Sequence, residues 1–356
     1  MDAEEWNGAQ ILVQSPHCVS ASRCSRIATV ETILQIRPVI QARGLRRTFV
    51  GTRGVVEAVA GIDLVVAEGA IFGLLGPNGA GKTTTLRMLA TLLPPTAGEA
   101  EVAGANLRRD PRTVRRRIGY VGQQGGADHS ISGRSELVFQ GLLYGMTRRE
   151  AERRSAELLV AFELTTCADR RTETWSGGQR RRLDVALGLV HRPALLFLDE
   201  PTTGLDPQSR ARMWEEVRRL RDQGTTIFLT THYLEEADAL CDRLAIVDHG
   251  RIVSEGSPAE LKREIAGDVV TISVAGNSEA AAALLRDQAF VRGQEAIDAG
   301  GDSLRVFVDQ GRSAVPKIFR ILDSGGVDVR GVSMSSPSLD DVFLRRTGRS
   351  LRDEAS

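Results

Sequence analysis

Eight consecutive residues, Gly76, Pro77, Asn78, Gly79, Ala80, Gly81, Lys82 and Thr83, meet every fixed position of the pattern GxxxxGK[ST]. Chemistry explains each requirement. Glycines let successive backbone N–H groups curl around a phosphate. A helix that begins at the loop adds partial positive charge. Lys82 is a compact cation able to reach β- and γ-phosphates, Thr83 offers a hydroxyl to Mg²⁺, and Thr84 follows at the same helix start. Lysine is otherwise found only at positions 262 and 317, so this site holds a lysine in a chain that uses arginine almost everywhere else.

A second cradle lies a hundred residues on. Trp175, Ser176, Gly177, Gly178 and Gln179 precede a helical stretch and offer another anion-binding helix start. One nucleotide carries one triphosphate, already held by the first loop, so the second cradle is expected to serve a nucleotide held by another subunit. The apolar run 195–198 then ends in Asp199 and Glu200. Asp199 is placed to hold Mg²⁺, and Glu200 to polarise an attacking water. Gln123 and His232 each follow a short apolar run. All these residues fall at the carboxyl ends of expected strands, the rim where open α/β sheets bind ligands.

The elements that must position them follow from hydrophobic periodicity. Short apolar runs at 70–75, 118–121, 195–198, 226–230 and 244–247 alternate with helical segments, which predicts a largely parallel sheet covered on both faces. Ahead of them, a short strand at 39–42 leads to Phe49, and a strand pair is expected at 55–60 and 63–67. From 130 to about 190 the pattern is only helical, clearest at 135–144 and 148–164, which predicts a helical subdomain inserted into the α/β core. After residue 262 the order strand, helix, strand, strand, helix, strand predicts a small α+β domain. A last helix at 339–346 carries Leu339, Val342 and Phe343 on one apolar stripe, with Asp340 and Asp341 in its first turn. That stripe either packs within its own domain or docks on a partner subunit or a membrane-spanning partner. Residues 1–38 show no packing pattern and read as a loose extension.

Bulk properties narrow the classes. With 42% hydrophobic and 26% charged residues, the 356-residue chain can bury a core without disulfides or metals. Net charge is zero, which gives no support to a nucleic-acid partner. No apolar run approaches the length needed to span a bilayer, so any membrane partner must bring its own helices. The cysteines (Cys18, Cys24, Cys167 and Cys241) form no CxxC pair, and His17, Cys18 and Cys24 fit no common zinc spacing. A reducing cytosol fits that usage.

Taken in order, these motifs resemble those of ATP-binding-cassette (ABC) transporter ATPases. Residues 76–83 look like Walker A, Gln123 like the Q-loop and residues 176–179 like the ABC signature. Asp199 and Glu200 look like Walker B and its catalytic glutamate, Gly204, Leu205 and Asp206 like the D-loop, and His232 like the switch histidine. Phe49 is similar in position to the aromatic that stacks on adenine. Trp175 departs from the leucine usual there. The resemblance implies an α/β P-loop ATPase that works as a head-to-tail homodimer. It implies ATP and Mg²⁺ as cofactors and catalytic roles for Gln123, Glu200 and His232. The metal would be held by Thr83, Gln123 and Asp199. Nucleotide would be bound by residues 76–84, Phe49, Asp206 and the signature residues Ser176, Gly177, Gly178 and Gln179. It also implies a separate membrane permease and a peripheral place on the cytoplasmic side of the membrane. The expected division is an extension (1–38), a cassette (39–262) and an accessory domain (263–356).

The tail, with Pro337, Ser338, Leu339, Asp340 and Asp341 and then Thr347 and Gly348, resembles the daunorubicin/doxorubicin-resistance group of exporter ATPases, as do residues 184–190 and 201–206. Lipid or other cargo stays open, since the cassette does not touch it. An importer cassette, a non-transport ABC ATPase, and a small-molecule kinase or GTPase are the rivals. The signature argues against a kinase, and no NKxD motif follows the loop to read guanine.

Overall fold

A computed structural model describes residues 38–348 other than 52, 53, 129, 266, 277 and 297–301. The expected loose extension, with His17, Cys18 and Cys24, lies outside the described residues as far as residue 37.

In chain order, β1 (Pro38–Gly51) and β2 (Gly54–Ala67) form a long antiparallel hairpin. β3 (Ile71–Leu75) runs through the glycine-rich loop into α1 (Lys82–Leu89). β4 (Ala97–Val102), β5 (Ala105–Asn106) and α2 (Pro111–Arg117) lead to β6 (Ile118–Val121). The helical segment holds α3 (Gly133–Leu143), α4 (Arg148–Ala161) and α5 (Gly177–Gly188). The chain returns through β7 (Leu195–Asp199), α6 (Pro207–Asp222), β8 (Thr226–Thr231), α7 (Leu234–Leu240), β9 (Arg243–Asp248), β10 (Arg251–Gly256) and α8 (Pro258–Glu264). The remainder is β11 (Asp268–Val274), α9 (Ser278–Leu285), β12 (Val291–Ala296), β13 (Ser303–Val308), α10 (Gly311–Ser324), β14 (Val329–Ser335) and α11 (Leu339–Thr347).

Three sheets result. The central one has the order β10-β9-β3-β8-β7-β6, parallel except for the β10 edge. Its strands β3, β7 and β8 are buried along their whole length, as continuous apolar runs require when both faces are covered. An antiparallel sheet, β2-β1-β4-β5, packs its own cluster against it through Ile40, Leu64, Phe72 and Phe197. The third sheet, β12-β13-β11-β14, is antiparallel, and its core of Val270, Ile272, Val306, Ile318 and Leu322 is separate from the other two.

Two expectations need correction. The strand pair at 55–60 and 63–67 is a single strand, β2. Its partner register steps from Leu45↔Ile62 to Arg46↔Ala60, so Gly61 is a bulge that the strand passes through and not a turn that ends it. The first strand likewise runs on to Gly51 because it pairs with β2 throughout.

The second correction concerns α11. Leu339, Val342 and Phe343 are 2%, 1% and 0% exposed, and they join the same cluster as Leu240, Cys241, Leu261 and Ile265. The last helix therefore folds back on α7 and α8 of its own chain. Its acidic turn is spent locally: Ser338 N donates to Asp341 Oδ2 at 2.7 Å, and Arg305 donates to Asp341 Oδ1 at 3.2 Å. Apolar side chains already removed from water have no surface left to offer a partner, and each such burial contributes roughly 1.5–3 kcal/mol inside the chain.

Candidate active site

Strand β3 delivers the glycine-rich loop, and α1 begins at Lys82 after Gly81, whose φ of 101° only glycine adopts without strain. Lys82 is 4% exposed. Its Nζ donates to the carbonyls of Gly76 at 2.7 Å and Pro77 at 2.9 Å, and stands 3.7 Å from Glu200 Oε1. Burial pushes its pKa down, opposed by Glu200 and Asp199.

Asp199 ends β7 and is fully buried. Its Oδ1 accepts from Thr83 Oγ1 at 2.9 Å and from Thr230 Oγ1 at 2.7 Å. Its Oδ2 is buried with no hydrogen-bond partner among the described residues. A buried carboxylate oxygen left open beside a threonine hydroxyl is the hard-oxygen donor set that suits Mg²⁺.

Glu200 follows with φ of 47°, its backbone fixed by donation from N to Thr230 Oγ1 at 3.0 Å. Its Oε2 accepts from Gln123 Nε2 at 3.0 Å and Thr203 Oγ1 at 3.2 Å, with His232 Nδ1 3.3 Å away. His232 chiefly, with Lys82 and Thr203, holds the Glu200 carboxyl below the usual range despite burial. A carboxylate kept anionic and aimed among a lysine, a glutamine and a histidine can accept a proton from water. Lys82, Thr83, Gln123, Asp199, Glu200 and His232, from four separate stretches of chain, thus meet in one place.

The second cradle is built differently. Ser176 caps α5: its Oγ accepts from Gln179 N at 3.2 Å, while Gln179 Oε1 accepts from Ser176 N at 2.9 Å. Ser176 and Gly177 are exposed, and none of the contacts joining those six residues reaches them. Trp175 is buried. Its indole donates to Arg170 O at 3.3 Å, and it sits so close to Gly133 that a Cβ there would come within 2.4 Å of the ring. Asp206 is exposed and spends both oxygens on Ser209 at the start of α6. Phe49 projects from the hairpin, 39% exposed, with the Arg47 guanidinium 4.7 Å from its ring.

Residues 59–203 match the ABC transporter family, and residues 256–347 match the C-terminal domain of DrrA1-3-like ATP-binding proteins. The daunorubicin/doxorubicin resistance ATP-binding protein DrrA of Streptomyces peucetius is 44% identical over 319 residues, covering 89% of this chain and 94% of that protein. The chain belongs to the ABC transporter ATP-binding family. The linearmycin resistance ATP-binding protein LnrL of Bacillus subtilis is 34% identical, over 88% of this chain and 100% of its own. Among solved structures, the dimeric post-hydrolysis cassette MJ0796 bound to ADP and Pi is similar, with a TM-score of 0.57. It is 24% identical, covering 61% of this chain and 98% of that one. As a member, the chain is an ATP hydrolase that binds nucleotide. Among the described residues, no helix is long and apolar enough to cross a membrane.

Within this ABC cassette, sequence reasoning missed several supports. Thr230 bonds both carboxylate-bearing residues, yet in sequence it is one more residue of an apolar strand. Arg181, 8% exposed, lies one turn into α5 and donates to the carbonyls of Pro201, Gly122, Asp199 and Glu200 at 2.6–3.2 Å. Glu236, wholly buried, accepts from Thr202 at 2.8 Å and Trp214 at 3.0 Å behind the D-loop. The available signal was an arginine and a glutamate on the inner faces of their helices.

Beside the Q-loop lies a cleft of about 330 Å³, lined in part by Leu92, Tyr120, Glu136, Gln140 and Tyr144. Burial pushes the Glu136 carboxyl from its ordinary 4.5 up to about 7, opposed by the N–H of Asp128 that it accepts at 2.6 Å. Between those two pH values the folded chain holds a proton that the unfolded chain has released. Raising pH through that window therefore removes stability. Glu136→Gln, which copies the neutral form, is expected to match the wild type near pH 4.5 and to raise the melting temperature by roughly 2–4 °C above pH 7. Thermal melts by circular dichroism across that range check it. A difference that does not change with pH would assign the effect to packing alone.

Proposed function

We propose that this chain is the ATP-hydrolysing motor of an efflux system for antibiotics or related drugs, working as a head-to-tail homodimer beneath a separate membrane permease. The observation that carries it is the pairing of one complete hydrolytic cluster with a second, exposed phosphate cradle that the cluster does not use. In this reading Lys82 and the loop 76–84 hold the triphosphate, and Phe49 stacks on the base. Ser176, Gly177, Gly178 and Gln179 close on the nucleotide of the second copy, with Asp206 at the same interface. Thr83 and Asp199, with the amide oxygen of Gln123, would hold Mg²⁺, which supplies charge neutralisation at the phosphates. Glu200 takes the proton of the attacking water, and His232 and Gln123 orient it. Support for the dimer comes from the shared fold with a dimeric cassette, and for drugs from the resistance proteins named above. The division into a cassette at 39–262, with its helical subdomain at about 130–190, and an accessory domain at 263–356 belongs to the same reading. So does a place on the cytoplasmic face of the membrane, held there through the permease.

The cleft beside the Q-loop is the part of this surface suited to a permease helix. Leu92 and Tyr144 are 54% and 40% exposed on its walls, and Gly122, Gly125 and Gly126 form its floor next to Gln123. An occupant there would press on the loop that carries Gln123. The experiment is co-expression with a candidate multi-span membrane protein, sought first among the products of neighbouring genes. The chain is expected in the membrane fraction with ATPase activity. Leu92→Asp should cut that association about tenfold, since a charge in an apolar contact costs more than 1 kcal/mol, while nucleotide binding stays intact. Recovery in the soluble fraction regardless of the membrane protein would overturn the transport reading. Undiminished association of Leu92→Asp would remove the cleft from it.

A further inference from the structure

The signature helix α5 does more than present Ser176. One and two turns further on it turns Arg181 and Asp184 toward the Q-loop. The loop leaves β6 at Gly122, whose carbonyl accepts from Arg181 at 2.6 Å. It turns at Gly125, whose N donates back to Gly122 O at 3.2 Å with φ of 74°. The next two amides, Gly126 N and Ala127 N, both donate to Asp184 Oδ1, at 2.9 and 3.2 Å. Asp184 is 9% exposed, and its charge also partly offsets that of buried Arg181. The fit is close on the loop side: a Cβ at Gly125 would stand 2.5 Å from Asp184 Oδ2. Gln123 lies inside the segment so held, and its amide meets Glu200 at 3.0 Å. Arg181 meanwhile donates to the carbonyls on either side of the Glu200 Cα, those of Asp199 at 3.1 Å and Glu200 at 3.2 Å.

We infer that Asp184 is a positioning residue for ATP hydrolysis: by accepting the Gly126 and Ala127 amides it fixes the Q-loop on the signature helix, so that Gln123 reaches Glu200. The helix whose start faces the second copy's nucleotide is thereby tied to this copy's own reacting groups. That consequence rests on the dimer reading. The positioning role does not, since all its contacts lie within one chain. Nothing in the contact touches the phosphate loop, so nucleotide binding by the monomer in the absence of Mg²⁺ is independent of it.

The test separates kcat from affinity in the full-length protein. Asp184→Val removes the acceptor at nearly constant volume. It is expected to lower kcat about tenfold or more while monomer affinity for ATP without Mg²⁺ stays within about twofold. Asp184→Asn keeps an Oδ1 that can accept both amides but loses the charge beside Arg181, and should recover most of kcat. Gly125→Ala attacks the same contact from the loop and should reproduce the Asp184→Val profile. Combining the two should cost less than the sum of the single losses, because both break one contact. If Asp184→Val fails to fold, Asn and Gly125→Ala still decide. Wild-type kcat in Asp184→Val, or a kcat loss that Asn does not relieve while Gly125→Ala stays normal, would overturn the inference. A Glu200→Gln control that does not dimerise on ATP would instead count against the dimer reading and leave these kcat comparisons standing.

Discussion

Glu200→Gln is expected to keep nucleotide binding and lose at least about a hundredfold in ATP turnover, several kcal/mol of barrier. Every feature of its setting points to a base. The carboxylate is buried, held anionic by His232, Lys82 and Thr203, and within 3.0 Å of the Gln123 amide. Glutamine keeps the shape, and its amide oxygen can still accept from Gln123 and Thr203, so the local fold should survive. What it loses is the capacity to take a proton. ATP that binds without being consumed should then hold two copies together. Phosphate release and size-exclusion chromatography with ATP read both effects. Turnover near wild type would remove Glu200 from the mechanism, and a monomer under saturating ATP would count against the composite site.

Ser176→Arg is the second large effect, and it asks where the signature acts. The side chain is exposed at the start of α5 and takes no part in the contacts that unite Lys82, Asp199 and Glu200, so the substitution should leave ATP binding to the isolated monomer intact. In the proposed dimer hydrolysis should be lost, because a bulky cation would block the N–H face offered to the other copy's phosphates. Loss of the cap itself costs only about 1 kcal/mol, too little to unfold a cassette of this size. Mixing Ser176→Arg with Lys82→Ala sharpens the result. In the heterodimer one site combines an intact loop with an intact signature, while the other lacks both. Activity should reappear on mixing, from at most one site per dimer. If the signature served its own chain's nucleotide, both partners would stay inactive after mixing.

The motifs that name the family are short and local, and local backbone chemistry is what a sequence writes down directly. The loop 76–83 needs its glycines and lysine within eight residues. The cap at Ser176 needs Gln179 three residues on. Asp199 and Glu200 need only the end of an apolar strand. Each was legible, as were the alternation of strands and helices and the α+β order after residue 262. The hairpin was less legible because a bulge at Gly61 resembles a turn until the partner strand shows that pairing continues past it.

What the tertiary structure decided are the contacts between residues far apart in the chain. Thr230 reaches back to Asp199 across 31 residues, Arg181 ties the Q-loop to the Walker B end, and Asp184 accepts amides 57 and 58 residues away. Trp175 replaces the expected leucine, and its room comes from Gly133, which no pattern links to it. The stripe on α11 was visible as a stripe, but an apolar face states only that it must be covered, not by what. Its cover proved to be α7 and α8 of the same chain. Sequence by itself determined the chemistry and the order of the elements, because both depend on neighbours along the chain. The folded chain alone decided which buried groups hold that chemistry in place, because those partners are chosen by proximity in space.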